Sequence, residues 1–471
     1  MKLIVIALFG LFVYTASYAQ SALQDSLVAR YNRNDFGGFY ALGSASRKSK
    51  TKPEGIAGWL RYMKRQTGPI RQSALTIDSG KTQYFMWDGA RKMLTFKLTL
   101  SDTGGFEGFD FQSYHLPVSK VYAALVPNDN PLKTHLDSAV NYGTVDFMLT
   151  HHLVGLSIGV ASNGHNHFYN YGTVEKGKTQ LPTSRTIFEL ASIAKTFTCI
   201  LLAQAVLDHK ISLDDDIRKY MPGNFPNLQY NGHPLKIVNL ANHTSGLPLE
   251  LPNLDTFKNE FNVLKMYDDY TNDRFFADLR SVKIDTLPGV SYGYSNAGMK
   301  LLGIILEKVY ELTYQQLLKK YITGPLDMPA TRTELAISDT TSYTKGYNAD
   351  GETMPHGNWN MFGGAAAIIS DSHDMVNYVQ ANIDEKRPAI RLSHKQTFTD
   401  GNFTLGLGWQ ISRNTINGTR VWKSGGALGF RSYCAVVPDK KIGMIWLSNR
   451  SDLADDEIAE MVDQILSAAK Q

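Results

Sequence analysis

The chain has 471 residues, of which 43% are hydrophobic and 20% are charged, so it is long enough to bury a substantial core in more than one domain. Its formal net charge of +4 is small for this size. It contains no Lys/Arg run of the kind that follows a nucleic-acid backbone, and the charge pattern therefore argues against a nucleic-acid partner.

Residues 1–19 have the pattern of a secretory signal peptide. Lys2 supplies a positive start, an apolar core of residues 3–13 follows, and the small side chains around Ala19 suit cleavage before Gln20. No cysteine follows that point, which argues against a lipoprotein anchor, and no later segment contains about 18 consecutive apolar residues. The pattern predicts a secreted or periplasmic bacterial protein without a transmembrane anchor.

Residues 20–128 are predicted to form a small α+β module. Helical patterns cover about residues 21–40 and 53–66, and strand patterns separated by turn residues follow at 72–77, 83–87, 92–100 and 109–115. Helices followed by an antiparallel sheet are typical of an α+β unit. The order resembles the cone-shaped modules of the nuclear-transport-factor-2-like type that precede some exported hydrolases.

Turn-forming residues between Val126 and Pro131 predict a linker, placed at residues 129–134, before a larger domain at residues 135–471. A helical pattern at 136–151 and a hairpin signal around Asn163-Gly164 open this domain, and helical patterns dominate residues 192–385. Four strand patterns and a last helix follow, at residues 405–412, 420–423, 430–437, 443–447 and 455–469. Strands from both ends of the domain predict one antiparallel sheet, with a helical region beside it.

The segment that begins at Ser192 contains an unusual lysine. Lys195 lies one helical turn after Ser192, in a run whose apolar residues surround a helix, and an unpaired buried ammonium is costly. A helix start favours developing negative charge, and burial lowers a lysine pKa so that the amine can take the serine proton. The alternative is a lysine that extends from the helix start to the surface. The same Ser-x-x-Lys spacing occurs in three polar or terminal segments: Ser49–Lys52, Ser342–Lys345 and Ser467–Lys470.

A second candidate is the loop Tyr294-Ser295-Asn296, which lies between a Pro-Gly turn and an apolar helix pattern. A phenol that projects inward from such a loop can relay a proton. The alternative is a helix-capping loop with a core tyrosine. The other Tyr-x-Asn copy begins at Tyr270, and the aspartates around it predict a solvated turn.

A third candidate is Lys423-Ser424-Gly425, on a strand pattern. A strand lysine with a hydroxyl beside it can bind a substrate carboxylate, and the glycine allows another backbone to approach closely. The alternative is an edge-strand lysine that discourages aggregation.

Taken in order, the three motifs resemble those of the serine β-lactamase and penicillin-binding-protein superfamily, in its branch of class C β-lactamases and D-Ala-D-Ala carboxypeptidases. The resemblance covers about residues 135–471 and implies a β-lactamase-like fold, an antiparallel sheet flanked by helices plus an all-helical region. Supporting stretches lie in the family's order: LANHTSGLP (240–248), LPGVSYGYSNAGMKLLGIILE (287–307), GPLDMPATRTE (324–334), FGGAAAIISDSHDM (362–375) and LGLGWQ (405–410).

The resemblance implies an acyl-enzyme mechanism. Ser192 would be the nucleophile, Lys195 with Tyr294 would be the general base, and Tyr294 would protonate the leaving group and help to activate the deacylating water. Lys423 would keep the local field positive.

The resemblance also implies how substrate would bind. Asn296 would bond to the acyl-side amide, Ser424 would meet a substrate carboxylate, and the backbone N–H groups of Ser192 and Gly426 would form the oxyanion hole. Ser424 stands where threonine is usual but keeps the hydroxyl. The bulky Trp422 just before the motif is expected to line or narrow the pocket.

These residues predict an exported serine hydrolase, most specifically of the D-Ala-D-Ala carboxypeptidase or penicillin-binding type, acting on a peptide or small molecule without a cofactor. The alternatives are a class C-like β-lactamase or a β-lactamase-fold esterase. A different class is a penicillin-binding sensor or scaffold that is acylated without turnover, against which the intact Tyr294 argues. A further alternative gives the N-terminal module a cell-wall or protein-binding role.

The histidines and cysteines are predicted to be structural. The His151-His152 pair and the two histidines of the hairpin turn lack metal-ligand spacing, and His243 is expected to fix a loop. Cys199 and Cys434 are expected to be buried thiols, with a disulfide between them left open by the sequence.

Overall fold

The computed structural model describes residues 22–102, 105–114, 126–252, 270–336, 339, 342–356, 359–401 and 404–469. The predicted signal peptide lies outside the described residues. The described residues divide into two compact units, the first made of those before Val118 together with Met148–His152, and the second made of the rest. The predicted domain boundaries at residues 128 and 135 stay a prediction.

The first unit contains four α-helices and a four-stranded antiparallel sheet of strand order β1-β2-β3-β4. Its core is rich in aromatic side chains, such as Trp87 stacked on Phe96 with ring centroids 4.1 Å apart. The elements are α1 (Ala22–Asn32), α2 (Phe36–Ala41), α3 (Ala45–Lys50), α4 (Pro53–Thr67), β1 (Ile70–Ser79), β2 (Thr82–Gly89), β3 (Met93–Leu100) and β4 (Phe106–Ser113). The resemblance to the nuclear-transport-factor-2-like type stays a prediction.

One helix expected at residues 21–40 is in fact two, α1 and α2. Asn34 adopts a left-handed backbone with φ 61°, which ends the first helix. The Asp35 side chain then accepts a hydrogen bond from the backbone N–H of Gly38 and caps the second. The residues that break the helix therefore also begin the next one.

The second unit is built on an eight-stranded antiparallel sheet, whose strand order is β13-β14-β15-β16-β17-β18-β5-β6. The hairpin of β5 and β6 turns at Asn163 and Gly164, with φ 51° and 82°, and lies beside the last strand of the chain. The sheet therefore joins distant parts of the sequence, as predicted. Its strands are β5 (Gly155–Ser162), β6 (His165–Gly172), β13 (Phe398–Thr399), β14 (Thr404–Leu405), β15 (Gln410–Thr415), β16 (Gly418–Gly426), β17 (Arg431–Val437) and β18 (Ile442–Ser448).

Short strand pairs and helices complete the second unit. The short strands are β7 (Phe188–Glu189), β8 (Gln229–Tyr230), β9 (His233–Pro234), β10 (Gly346–Tyr347), β11 (Thr353–Met354) and β12 (Ile369–Ser370). The remaining α-helices in the described part of the chain are α5 (His135–Thr150), α6 (Ala194–Leu207), α7 (Ile237–Ala241), α8 (Asn272–Ser281), α9 (Asn296–Tyr310), α10 (Tyr314–Leu318), α11 (Ser372–Asp384), α12 (Pro388–Ser393) and α13 (Asp455–Ala468).

The core of the second unit surrounds α6, whose side chains are buried on nearly every side. On the sheet, α11 packs against β18 and β5. The helix and the sheet approach closely at Gly159, where an added Cβ atom would lie only 2.2 Å from Val376 Cγ2. The helix that carries Lys195 is thus part of the buried core of the second unit.

Cys199 and Cys434 are both free and buried, as predicted for structural thiols. Burial raises the pKa of each thiol to about 12. Within the described ranges, no helix has both the length and the apolar character needed to span a bilayer.

Candidate active site

A tight turn positions Ser192 at the start of α6. The residues Ala191–Ile193 form a single 3₁₀ turn that leads directly into the helix. Ala191 has a φ of 48°, a left-handed conformation that a residue with a Cβ atom adopts at an energetic cost. The turn leaves Ser192 half-buried, whereas the residues on either side of it are fully buried.

Lys195 is fully buried one helical turn further on. Its Nζ lies 2.9 Å from Ser192 Oγ and donates to the backbone carbonyl of Ala365 at 2.8 Å. Burial lowers the pKa of Lys195 to about 7, against a smaller raising effect from the Glu250 charge. The amine is therefore neutral in a large fraction of molecules near pH 7, and it can act as a base.

Tyr294 approaches the same hydroxyl from the loop before α9. Its OH donates to Ser192 Oγ at 2.7 Å, and its ring centroid lies 4.9 Å from both Lys195 Nζ and Lys423 Nζ. Lys423 is buried on β16, where burial lowers its pKa and Tyr294 raises it. Residues of the first two motifs thus contact Ser192 Oγ, and Lys423 of the third motif lies against the Tyr294 ring.

His243 holds the tyrosine loop. Its Nδ1 accepts a hydrogen bond from the backbone N–H of Ser295 at 3.2 Å, and its ring lies 4.4 Å from that of Tyr294. Burial, together with the charges of Lys423 and Lys195, lowers the pKa of His243 well below its ordinary value. The imidazole is therefore neutral and positions the loop, consistent with the structural role predicted for it.

The end of β16 runs beside the nucleophile turn. A Cβ atom added at Gly425 would lie 2.2 Å from the carbonyl oxygen of Leu190 and 2.9 Å from the backbone nitrogen of Ser192. Only glycine allows this approach. The strand residue after it, Gly426, pairs in register with Arg431 on β17.

Two motif residues bond to carboxylates. The Asn296 side-chain amide, at the start of α9, donates to Glu250 Oε1. Ser424 Oγ donates to Asp455 Oδ2 at 2.8 Å, and Asp455, the first residue of α13, also pairs with Arg431. We call these contacts the Asn296–Glu250 pair and the Ser424–Asp455 pair.

The beta-lactamase family model matches residues 133–467. The chain belongs to the beta-lactamase family. It is 27% identical over 338 residues to a beta-lactamase of Yersinia enterocolitica, a match that covers 63% of this chain and 82% of that protein.

Comparison with solved structures also supports membership of this family. A class C beta-lactamase in complex with cefoxitin shares 27% identity and a TM-score of 0.62, covering 71% of this chain and 98% of that one. A beta-lactamase/D-alanine carboxypeptidase from Yersinia pestis, complexed with citrate, shares 25% identity and a TM-score of 0.61, covering 71% and 96%. The predicted fold class is confirmed for the larger domain, and this beta-lactamase-family chain is a serine hydrolase.

The structure separates the two Tyr-x-Asn copies. Tyr270 was expected in a solvated turn, but it is buried and its OH donates to Asp278 at 2.6 Å, while Thr271 caps α8. One of the aspartates that suggested solvent exposure, Asp273, lies in the first turn of α8, where an acidic side chain suits the start of a helix. The acidic pattern thus marked a helix start, which explains the error.

Trp422 was expected to line or narrow the pocket. Its ring stacks on Tyr433 with centroids 5.2 Å apart, and its indole N–H donates to Ser412.

Sequence reasoning missed three contributors to the site. These are the Glu250 carboxylate, the Ala365 carbonyl and the Asp455 carboxylate. Glu250 had a usable signal, since it is an acidic residue in an otherwise apolar stretch two positions after LANHTSGLP. No cluster of His, Cys, Asp or Glu suited to a metal ion occurs among the residues that the structure describes.

Proposed function

We propose that this beta-lactamase-family hydrolase cleaves D-Ala-D-Ala-like peptides through an acyl-enzyme on Ser192, in the manner of a penicillin-binding carboxypeptidase. The observation that carries the proposal is the pair of short contacts at Ser192 Oγ, 2.9 Å from Lys195 Nζ and 2.7 Å from Tyr294 OH. One group can remove the serine proton while the other supplies a proton to the leaving group.

In acylation, the Ser192 proton moves to the neutral amine of Lys195 as Oγ bonds to the substrate carbonyl carbon. The C–N bond then breaks, the leaving amine takes a proton from Tyr294, and Lys195 returns a proton to that phenolate. Water then attacks the ester carbon and gives a proton to the neutral amine of Lys195. The bond from that carbon to Ser192 Oγ breaks as the oxygen takes a proton from Tyr294, and Lys195 returns a proton to the phenolate. The acid product leaves, and Ser192 regains its hydroxyl.

The oxyanion of each tetrahedral intermediate would be stabilised by backbone N–H groups of Ser192 and Gly426. The close approach of β16 at Gly425 supports this assignment, because it brings the strand to the nucleophile turn. Loss of one such donor typically lowers the rate by about 10²–10³-fold. Lys423 would keep the surroundings of the oxyanion and of Tyr294 positive.

A β-lactamase is the second candidate. The relative from Yersinia enterocolitica carries that name, and a β-lactam would acylate the same serine. A β-lactamase-fold esterase is a third. A sensor that is acylated without turnover receives less support, because Tyr294 lies in contact with Ser192 and can help to activate water. Export through the signal pattern of residues 1–19 remains part of the proposal.

A substrate panel tests these functions. The purified mature chain is assayed with nitrocefin, D-Ala-D-Ala peptides and p-nitrophenyl acetate, and it is labelled with a fluorescent penicillin. We expect turnover of the peptides and a label that Ser192→Ala abolishes. A label that persists for hours without any turnover would favour the sensor, and a label that survives Ser192→Ala would remove the nucleophile assignment.

A further inference from the structure

The Asn296–Glu250 pair has a distinctive polarity. The Asn296 amide nitrogen donates to one oxygen of Glu250, and Asn296 Oδ1 is buried without a hydrogen-bond partner among the described residues. The second oxygen of the Glu250 carboxylate is a further acceptor. The pair therefore presents mainly hydrogen-bond acceptors, together with a negative charge when the Glu250 carboxyl is ionised.

The pair is held firmly in place. The Leu249 carbonyl accepts a hydrogen bond from the backbone N–H of Asn296 at 2.8 Å, and Ser295 Oγ donates to the Pro248 carbonyl at 2.6 Å. These bonds fix the segment that carries Glu250 against the start of α9. The position of the Glu250 carboxylate is therefore determined by backbone hydrogen bonds of its own segment and by its bond to Asn296.

The pair also lies close to the reacting atoms. Asn296 follows Tyr294 by two residues, and the OH of Tyr294 touches Ser192. The charge of Glu250 raises the pKa of Lys195, so the carboxylate is within electrostatic reach of the proposed base. Glu250 is bonded to Asn296, so if Asn296 binds the acyl side of the substrate, as the resemblance implies, Glu250 lies next to that side too.

Glu250 itself is in a poorly solvated position. Burial raises the pKa of its carboxyl to about 7, against lowering effects from Asn296 and Lys195. A carboxylate in such a place gains strongly from a cationic hydrogen-bond donor, because that donor replaces lost hydration. An amide carbonyl at the same point would meet an acceptor and a like partial charge.

We propose that the Asn296–Glu250 pair selects substrates whose acyl residue carries a free ammonium group, so that the enzyme acts on short peptides or amides with an unblocked amino terminus. The inference rests on the proposed acyl-enzyme function and narrows its substrate class. Asn296 Oδ1 and Glu250 would both accept hydrogen bonds from the substrate ammonium.

Two substrates that differ at the amine alone test the proposal. The dipeptide D-Ala-D-Ala and N-acetyl-D-Ala-D-Ala release the same D-Ala, so the ratio of their kcat/KM values measures selection at the amine. We expect the free dipeptide to be preferred by tenfold or more. Glu250→Gln should lower that ratio by about 10- to 100-fold, because the charge is lost and the free amide nitrogen becomes a donor.

A matched control is Glu352→Gln. Glu352 accepts a hydrogen bond from Asn348 at 3.0 Å on the exposed surface, so it repeats the Glu–Asn contact outside the site. This variant should keep the wild-type ratio. If the Asn296–Glu250 pair were only structural, Glu250→Gln would lower both kcat/KM values alike and leave the ratio unchanged, which would overturn the proposal.

Turnover of p-nitrophenyl acetate and penicillin labelling separate this inference from the proposed function. An enzyme that hydrolyses the ester but prefers the acetylated dipeptide, or shows no preference, retains the acyl-enzyme function and contradicts the ammonium site. An enzyme with neither labelling nor turnover contradicts both. A preference for the free amine that Glu250→Gln removes supports the inference.

Discussion

The proposed reaction centre and its substrate-facing surroundings are built differently. The reaction centre comprises Ser192, Lys195, Tyr294 and Lys423, and its motif residues contact one another: Lys195 and Tyr294 reach the serine oxygen, and Lys423 lies against the Tyr294 ring. In the two pairs that surround it, each motif residue instead bonds to a carboxylate from outside the three motifs.

This difference separates reaction type from substrate choice. The contacts among motif residues favour the acyl transfer of the family, whatever the substrate. The carboxylates change the charge that an approaching substrate meets, and charge selects by repelling wrong ligands as much as by attracting right ones. Variants of the two groups should therefore fail in different ways.

Replacement of the buried lysine should have the largest effect. Lys195→Met removes the proposed base but keeps an unbranched apolar side chain in the same space, and we expect kcat/KM to fall by about 10³–10⁴-fold. Steady-state hydrolysis of p-nitrophenyl acetate measures the loss.

Lys300→Met is the matched control for that variant. Lys300 is also buried, its Nζ has no hydrogen-bond partner in the described part of the chain, and it lies 4.9 Å from the Phe275 ring centroid. We expect activity to be retained and the Tm to stay the same or rise, because an unpaired buried ammonium is costly. Equal activity losses in the two variants would mean that burial alone, and not a catalytic role, explains Lys195.

Tyr294→Phe should have the next largest effect. It removes the hydroxyl that lies 2.7 Å from Ser192 Oγ, and we expect kcat to fall by about 10²–10³-fold. The control is Tyr270→Phe from the other Tyr-x-Asn copy, which loses its bond to Asp278 and should cost about 1 kcal/mol of stability with kcat unchanged. A Tyr294→Phe enzyme with normal kcat would remove tyrosine from the mechanism.

Local sequence patterns predicted much of the fold, because they record periodicity and turn chemistry. The last helix was expected at 455–469 and occurs at Asp455–Ala468, and the hairpin turns at Asn163-Gly164 as expected. The break between α1 and α2 was missed, since it depends on one left-handed asparagine inside a helical pattern.

The residues of the site that belong to the three motifs could be predicted from the order of those motifs. Spacing placed Ser192 and Lys195 on one helix face, whereas their contact with Tyr294, 102 residues away from Ser192, came only from the resemblance. The bonds to Glu250 and Asp455 had no such support. Each joins side chains distant in sequence, and a single carboxylate in a loop or helix start does not indicate its partner.

The pH dependence tests the electrostatic link between the two groups. Lys195 must be neutral to accept the serine proton, and its pKa is lowered to about 7, so kcat/KM for p-nitrophenyl acetate should rise with pH through about 7. Below that value we expect about a tenfold loss per pH unit. The titratable and charged groups that surround this amine are Tyr294, Lys423, His243, Glu250 and Cys199.

Glu250→Gln should shift that rising limb to lower pH. The Glu250 charge raises the pKa of Lys195, and its removal leaves burial as the dominant effect. Rate profiles of both enzymes between pH 5 and 9 measure the shift. A limb that moves to higher pH, or a rate that falls as pH rises through 7, would contradict a neutral lysine base.

The smallest effect is expected at the Ser424–Asp455 pair. Asp455 accepts a hydrogen bond from the Ser424 hydroxyl, which was expected to bind a substrate carboxylate, and it also forms an ion pair with Arg431. Asp455→Asn removes a negative charge and frees the guanidinium, so kcat/KM for nitrocefin, which bears a carboxylate, should rise about two- to fivefold relative to p-nitrophenyl acetate. The effect is modest because Asp455 is 39% exposed and solvent screens its charge.

Asp456→Asn is the control for this variant, since it removes an exposed charge from the same first turn of α13. It should leave the ratio of nitrocefin to ester turnover unchanged. A fall in that ratio for Asp455→Asn would mean that Asp455 positions Ser424 and Arg431 for carboxylate binding. The Ser424–Asp455 pair would then promote the binding of substrates that bear a carboxylate. Only Glu250 would then select substrates by charge repulsion.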